Sequence, residues 1–226
     1  MHFDPVNFFF QIVVLLFAIS VHESAHAWMA NRLGDPTAKM LGRVSLNPIV
    51  HIDPLGTILV PAILILIGAP AFGWAKPTPV DSRNFKNVVS DDILTAVAGP
   101  VSNFLTAFVS VVAVAVLFHG SARGIPLNFR RADLGGPLFL LFSSAITINV
   151  VLAVFNLIPL PPLDGSHVIR HFLSYESLKL YDRFGYFGLM IIIFVLPWML
   201  NFSLINILIS PFMGFYQGLL NLFLRL

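Results

Sequence analysis

Cysteine is absent from this chain and charged residues are scarce. Without cysteine there is no disulfide and no cysteine-ligated zinc site, so a bound metal would need histidine, aspartate or glutamate as ligands. Charged residues make up 11% of the 226 residues, whereas soluble domains carry roughly 25%. Together with 57% hydrophobic residues, this shortage excludes an ordinary soluble domain and predicts a protein that crosses the lipid bilayer several times. The basic residues form no long run, so no nucleic-acid partner is expected.

Six apolar segments divide the chain, and most approach the roughly 20 residues that a helix needs to cross a bilayer. They are about Val6 to Trp28, Thr57 to Phe72, Ile93 to Phe118, Pro137 to Pro159, Tyr186 to Leu200 and Leu204 to Leu224. The second is short and contains Pro61 and Gly68, so we expect it to leave the membrane on the face by which it entered. The predicted fold is an all-α polytopic membrane protein with about five full transmembrane helices, one re-entrant or short membrane segment, and a small β-like connection after the first helix.

No repeat or low-complexity tract separates these segments. We therefore expect a single membrane domain over residues 1–226. Its core would cover about residues 6–173, followed by a C-terminal helical hairpin over about residues 184–224.

The connection from Ala38 to Val80 is rich in extended-chain formers, proline and glycine, as in KMLGRVSLNPIV and GWAKPTPV. This composition favours short strands or a membrane-associated hairpin beside the site. An exposed strand edge could pair with an extended substrate chain. The alternative is a loop that only tethers two helices.

The sequence HESAH, residues 22 to 26, lies at the end of the first apolar segment. His22 and His26 are four residues apart, so on a helix they share a face and can bind one metal ion. Glu23 completes the pattern HExxH, which is typical of zinc hydrolases whose glutamate accepts a proton from the attacking water. A chance match is the alternative, but ionisable groups within a membrane helix are costly and functional by default. The motif predicts a site for one Zn²⁺ ion.

Catalytic zinc needs a third protein ligand and an open fourth position. Asp164 is the best candidate, because it follows the fourth apolar segment after three prolines that interrupt any helix. Irregular backbone at membrane depth is tolerated only where it is buried in protein or lines a watery cavity, which is where a hydrolytic site would lie. The alternative is a helix-capping aspartate beside a turn glycine.

Three separated motifs resemble those of the site-2 proteases, which are zinc metalloproteases that cut peptide bonds inside membranes. They are HESAH at residues 22–26, AGPVSN at 98–103 and NLIPLPPLDG at 156–165. The resemblance covers most of the chain, with the motifs in the same order. It implies regulated intramembrane proteolysis of a single-span membrane-protein substrate. It also implies that His22, His26 and Asp164 bind the zinc ion and that Glu23 is the general base.

The same resemblance implies that Asn156 helps to position the substrate, and we assign Asn103, on the core helix between the metal-bearing ones, to the same task. Two features depart from the family pattern. Many members carry a further helix before the HExxH helix, which this short form is expected to lack. The family's common Gly-Gly after the aspartate is Gly165-Ser166 here. Neither departure touches a ligand.

Two further histidines are candidate accessory residues. His51 lies in the polar connection, from which it could reach the site as an inhibitory or substrate-sensing group. His167 follows Asp164 by three residues, so if a helix begins there the two share a face, and His167 could hydrogen-bond to a metal ligand or compete as a ligand itself. For Asn103 and Asn156 the alternative is hydrogen bonding between helices.

Two other functions use the same residues. Intramembrane histidine and aspartate could form the transit site of a metal-ion transporter. Transport, however, does not require the glutamate that directly follows the first histidine. A zinc lipid hydrolase would share the chemistry of a protease and differ in its substrate.

The membrane topology follows from a parity argument. If His22 and His26 meet Asp164, the first and fourth segments must run in the same direction, so the short second segment should not cross. Of the 13 basic residues, all but Arg123, Arg130 and Arg131 then lie on one face. The positive-inside rule puts that face in the cytoplasm. We expect a multi-pass protein of the cell membrane with its zinc site toward the cytoplasmic face.

Overall fold

The fold is built from helices, as expected for a chain whose backbone polar groups must be satisfied inside a bilayer. The computed structural model describes residues 5–60, 63, 74–118, 135–195 and 204–225. The α-helices in these ranges are α1 (Pro5–Leu33), α2 (Thr37–Met40), α3 (Val88–Phe118), α4 (Gly135–Asn156), α5 (Gly165–Arg170), α6 (Tyr175–Met190) and α7 (Leu204–Arg225). Turns of 3-10 helix cover Pro48–His51 and Ser82–Asn84, and π-helical turns cover Pro54–Leu59 and Ile191–Val195. The all-α prediction is confirmed for these residues.

Three helices of the described chain are long and apolar enough to cross a membrane, namely Val6–Leu33, Val88–Phe118 and Gly136–Asn156. They match the first, third and fourth predicted segments, and the chain is a multi-pass membrane protein. The predicted count of five full crossings is not supported, because the described residues supply three. Most of the second predicted segment, 61–62 and 64–73, lies outside the described residues, as do residues 196–203 of the fifth segment and its link to the sixth.

The strands predicted between Ala38 and Val80 are absent from the described part of that connection. Two asparagine or aspartate side chains followed by proline turn the chain into helix instead. The Asn47 side chain accepts a hydrogen bond from the Ile49 N–H, and the Asp53 side chain accepts from two N–H groups just after it. A capping side chain with proline at the first helical position is a helix-start signal. Here it outweighs the β-forming residues around it.

Residues 74–81, at the end of this connection, form no strand either. The Lys76 N–H donates to the carbonyl of His51 at 2.9 Å. Pro77 and Pro79 confine the residues before them to extended backbone but have no N–H to donate. The segment is therefore extended at these positions and cannot pair continuously in a sheet.

The chain forms two compact units, one of Met1–Ala18 with Pro100–Leu226 and the other of Ile19–Gly99. The predicted single domain stays a prediction. In the first unit α7 packs against α4. A buried apolar cluster lies among its helices and consists of Ala107, Val111, Ile146, Val150, Val154 and Tyr216.

A buried amide network also lies in this first unit. Asn103 of α3 has no solvent exposure, and its Nδ2 donates to the carbonyl of Ala18 at 3.2 Å and to Oδ1 of Asn149 at 2.7 Å. The Nδ2 of Asn149 in turn donates to the carbonyl of Ala145 at 2.9 Å. A buried amide in an apolar environment must find hydrogen-bond partners. Here those partners lie on neighbouring helices, so the bonds link α1, α3 and α4.

In the second unit, the end of α1 is fastened to the turn before α3. Gly34 has a φ of +116°, which a residue with a side chain rarely adopts, and a Cβ there would lie 2.9 Å from the Asn84 carbonyl oxygen. Asp35 then accepts hydrogen bonds from the Thr37 N–H at 3.0 Å, the Asp81 N–H at 2.7 Å and Nδ2 of Asn84 at 2.9 Å. One buried carboxylate thus holds the two loops together.

Candidate metal centre

Two histidines of α1 converge on one point. Because His22 and His26 are about one turn apart, they lie on the same face of the helix. Their Nε2 atoms are 3.1 Å apart, and both side chains are buried. Two nitrogens that each lie about 2.0–2.1 Å from a tetrahedral zinc ion would be about 3.3 Å apart. The pair therefore has the spacing of two zinc ligands.

A backbone carbonyl of α3 orients the second histidine. Nδ1 of His26 lies 2.7 Å from the carbonyl oxygen of Thr95. A carbonyl can only accept, so Nδ1 carries the proton and donates it. Nε2 of the neutral ring is then the unprotonated nitrogen, which is the form that binds a metal.

Gly99 of α3 makes room for both imidazoles. A Cβ at this position would lie 2.4 Å from Nε2 of His26 and 2.7 Å from Cε1 of His22. Carbon and nitrogen atoms that are not bonded do not approach this closely, so the absence of a side chain at Gly99 is a steric requirement of the site. This explains the glycine of the AGPVSN motif.

Asp164 lies at the end of an irregular loop. Helix α4 ends at Asn156, and the loop that follows contains three prolines before α5 begins at Gly165. Asp164 directly precedes α5, yet its side chain makes no capping hydrogen bond to that helix. The capping alternative for Asp164 is therefore not supported.

Close contacts fix the shape of this loop. A Cβ at Gly165 would lie 2.3 Å from a carbonyl oxygen at the start of the loop. The Tyr181 hydroxyl of α6 donates to the Pro159 carbonyl at 2.8 Å. Gly185 of α6 lies so close to Pro161 that a Cβ would come within 2.4 Å of the proline ring. Contacts within the loop and contacts with α6 thus fix the backbone that precedes Asp164.

Glu23 is half-buried and hydrogen-bonded to Thr78 of the 74–81 segment. The Thr78 N–H and hydroxyl lie 2.9 and 2.8 Å from Oε2 of Glu23, and the hydroxyl is also 3.1 Å from the Glu23 carbonyl oxygen. Both side-chain contacts reach the same carboxylate oxygen. The predicted general base is therefore held by a residue that lies 55 positions away in the sequence.

Among the described residues, His22, His26 and Asp164 are a group that could hold a metal ion. A family model, described as peptidase family M50, matches residues 10–199. The chain belongs to peptidase family M50, the site-2 proteases.

Curated relatives agree with this membership of M50. YwhC of Bacillus subtilis is 42% identical over 161 residues, which cover 71% of this chain and 68% of the relative. Rip2 of Mycolicibacterium smegmatis is 28% identical over 84% of this chain and 67% of its own length. Rip2 of Mycobacterium tuberculosis H37Rv is 25% identical over 80% of this chain and 65% of its own length. The names of all three describe zinc metalloproteases. No solved structure matches the chain.

This M50 peptidase is a zinc metalloprotease, and its donors suit that ion. Two neutral imidazoles and one carboxylate are a common ligand set for catalytic zinc and leave a fourth position open. The metal prediction made from the HExxH motif is confirmed at the level of the cofactor.

The accessory histidines of this M50 chain do not belong to the metal-binding group. His51 is 1% exposed and its Nε2 donates to the carbonyl of Ser45 at 2.8 Å. His167 lies half-buried on α5. A part for either residue in regulation or metal binding stays a prediction.

The two predicted substrate-positioning amides have different surroundings. Asn103 is fully buried in the network that links α1, α3 and α4. Asn156 is half-buried at the end of α4, where its Nδ2 donates to the carbonyl of Leu152 at 3.0 Å. Their predicted contacts with substrate stay predictions.

The sequence did not reveal what three residues contribute to the site. Thr95 acts through its backbone carbonyl, which no side-chain pattern reveals. The role of Gly99 became visible only from its contact with the imidazoles. For Thr78 there was a signal, because the sequence Pro77-Thr78-Pro79 fixes an extended backbone beside a single donor.

Proposed function

We propose that this zinc metalloprotease cuts peptide bonds within or next to the transmembrane segments of membrane-protein substrates. The observation that carries the proposal is the position of His22 and His26, which are buried within the apolar span Val6–Leu33. A soluble polypeptide does not reach such a site without leaving water. A transmembrane segment is already at that depth and needs only to unwind.

His22, His26 and Asp164 are the proposed zinc ligands. When bound, zinc supplies positive charge that polarises the scissile carbonyl and lowers the pKa of the attacking water. The chain supplies the geometry. The Thr95 carbonyl keeps the proton of His26 on Nδ1, and Gly99 leaves space for both imidazole rings. Helix α6 supports the loop that precedes Asp164.

Glu23 is the proposed general base. Its carboxylate accepts the proton of the attacking water and then delivers that proton to the nitrogen of the leaving amine. Because peptide nitrogen is a poor leaving group until it is protonated, the same carboxylate serves both halves of the reaction. Asn156, at the end of α4, is proposed to bind the substrate backbone through its side-chain amide. Asn103 would assist by holding α1, α3 and α4 in position.

The proposed topology has the zinc site toward the cytoplasmic face of the cell membrane and a second segment that re-enters. It is supported by the fastening of the loop at Asp35 to the loop at Asp81 and Asn84. These loops follow α1 and precede α3, so the end of α1 and the start of α3 lie on the same side. The chain between them then makes no net crossing, as the parity argument requires.

Transport of metal ions was the alternative drawn from the sequence, and it finds no support in the comparisons. The family and its named relatives are metalloproteases. The Glu23 carboxylate, held by two donors beside the histidine pair, also suits proton transfer better than ion passage.

The proposal is tested by comparing the membrane proteomes of cells that express the wild type or Glu23→Gln. Transmembrane fragments should accumulate with the wild type and be missing with Glu23→Gln, while both purified proteins contain about one zinc per chain. His22→Ala and Asp164→Ala should lose both cleavage and zinc. Glu176→Gln is the matched control, because Glu176 is the other glutamate of the chain and is exposed on α6.

Two outcomes would contradict the proposal. Undiminished cleavage by purified Glu23→Gln would exclude a general-base role for Glu23. An absence of any wild-type fragment, together with zinc uptake into proteoliposomes that depends on His22 and Asp164, would favour transport.

A further inference from the structure

The stretch Pro77-Thr78-Pro79 offers a single backbone donor. Proline has no N–H, so Thr78 alone can donate from the main chain here. Each proline also restricts the residue before it to extended backbone, which fixes Lys76 and Thr78. That one N–H is directed at Oε2 of Glu23, 2.9 Å away.

The segment around Thr78 is anchored on both sides. The Lys76 N–H donates to the carbonyl of His51 at 2.9 Å, and the Asp81 N–H donates to Oδ2 of Asp35 at 2.7 Å. Thr78 therefore lies between two hydrogen-bonded positions, and the prolines on either side restrict its backbone dihedral angles. A donor mounted in this way can hold a flexible partner in place.

The partner that is held is a glutamate side chain with three rotatable bonds. The hydroxyl of Thr78 is 2.8 Å from the same Oε2 atom that accepts its N–H. Hydrogen bonds to a carboxylate are charge-assisted and stronger than those between neutral groups. Two donors on Oε2 select one rotamer of Glu23 and give Oε1 a constant direction.

We propose that Thr78 is a positioning residue for the general base, an inference that rests on the proposed role of Glu23. By hydrogen-bonding to Oε2, Thr78 keeps Oε1 directed at the attacking water. The side-chain entropy lost in ordering the carboxylate is then not lost again at each turnover. Thr78 touches neither metal nor substrate in this role. It acts only through Glu23.

The first test measures cleavage. Thr78→Val is nearly isosteric and removes the hydroxyl, so the initial rate at which the wild-type fragments appear should fall roughly ten- to a hundredfold. Zinc content and thermal stability should be unchanged. Thr78→Ser keeps both donors and should restore most of the rate. Thr106→Val is the matched control, because that hydroxyl donates to the Ser102 carbonyl of its own helix at 2.8 Å and should be dispensable.

The second test does not depend on activity. Labelling with ¹⁵N-threonine gives six amide signals, and Thr78→Ser identifies the one that belongs to Thr78. In the wild type this amide should be protected from hydrogen exchange, and Glu23→Ala should make its exchange at least about tenfold faster. The amide of Thr37, which donates to Asp35 instead, should be unaffected.

The two tests separate failure of this inference from failure of the proposed function. If the wild type produces no fragments, the proposed function fails, while the exchange experiment still decides whether Glu23 holds the Thr78 amide. The inference is overturned by equal exchange in wild type and Glu23→Ala, or by a wild-type rate in Thr78→Val. Equal losses of rate and stability in both the Val and Ser variants would also overturn it, because they would indicate a purely structural role.

Discussion

Gly99 lies against the imidazole of His26, so closely that a Cβ would come within 2.4 Å of Nε2, the proposed metal-binding atom. Gly99→Ala must therefore displace His26, and because His22 is also within reach of that methyl group, both rings should move. We expect zinc content to fall well below one per chain and cleavage to be lost. Metal analysis of the purified protein measures this directly.

Gly218→Ala is the control for that change, since a Cβ at Gly218 of α7 meets nothing within 4 Å. It should retain zinc and activity. Full zinc occupancy in Gly99→Ala would show that α3 can shift to accommodate a side chain, and that the close contact is not a requirement.

Gly165→Ala should disturb the third proposed ligand. The new Cβ would lie 2.3 Å from the Leu157 carbonyl oxygen and 2.7 Å from that of Ile158. These are backbone atoms and cannot rotate away, so the loop that precedes Asp164 must move. We expect a loss of stability of roughly 1–3 kcal/mol, as for other overpacked sites, with weaker zinc binding in competition with a chelator. Gly214→Ala on α7 is the control, and an unchanged zinc affinity in Gly165→Ala would contradict the prediction.

The stability of the folded chain should depend on pH through Asp35. Burial alone would raise the pKa of Asp35, but hydrogen bonds from Thr37, Asp81 and Asn84 outweigh it and hold the pKa below the usual 3.8. Because the pKa is lower in the folded than in the unfolded chain, the stabilisation is complete above the unfolded value. It is lost as the pH falls through the folded value.

The measurement is thermal unfolding in detergent between neutral pH and about pH 3. Asp35→Asn should be less stable than the wild type at neutral pH, and this difference should shrink below about pH 4. Asp182→Asn, in a partly exposed pair with Arg170, should differ little from the wild type throughout. A stability difference between Asp35→Asn and wild type that stays constant down to pH 3 would exclude Asp35 as the titrating group.

The topology can be mapped with single cysteines, because the native chain has none. Met40, at the end of α2, and the side chain of Arg83, in the helical turn before α3, are 80% and 86% exposed, and Asp35 hydrogen-bonds to both of these turns. Cysteines at both positions should react with a membrane-impermeant thiol reagent from the cytoplasmic side. A cysteine at Asn128, which lies outside the described residues, should react from the opposite side. Labelling of positions 40 and 83 from opposite sides would mean that the second segment crosses the membrane.

Local sequence patterns predicted the helices well and the connection poorly. The α1, α3 and α4 spans follow from long apolar runs, since a bilayer leaves helix as the only arrangement that satisfies each backbone group within its own segment. Between residues 38 and 80, β-forming residues suggested strands. The side chains of Asn47 and Asp53 instead cap helical turns, because each is followed by a proline that suits the first helical position.

The sequence by itself determined that the protein is a membrane protein and has a histidine pair whose spacing suits zinc binding, because hydropathy and the spacing of His22 and His26 are local properties of one helix. Tertiary structure alone decided what surrounds that pair. Thr95 orients His26 from 69 positions away, and Thr78 holds Glu23 from 55 positions away. Such contacts have no periodicity, since they depend on how the elements pack and on which backbone groups are left to donate or accept. They can therefore be read only from the folded chain.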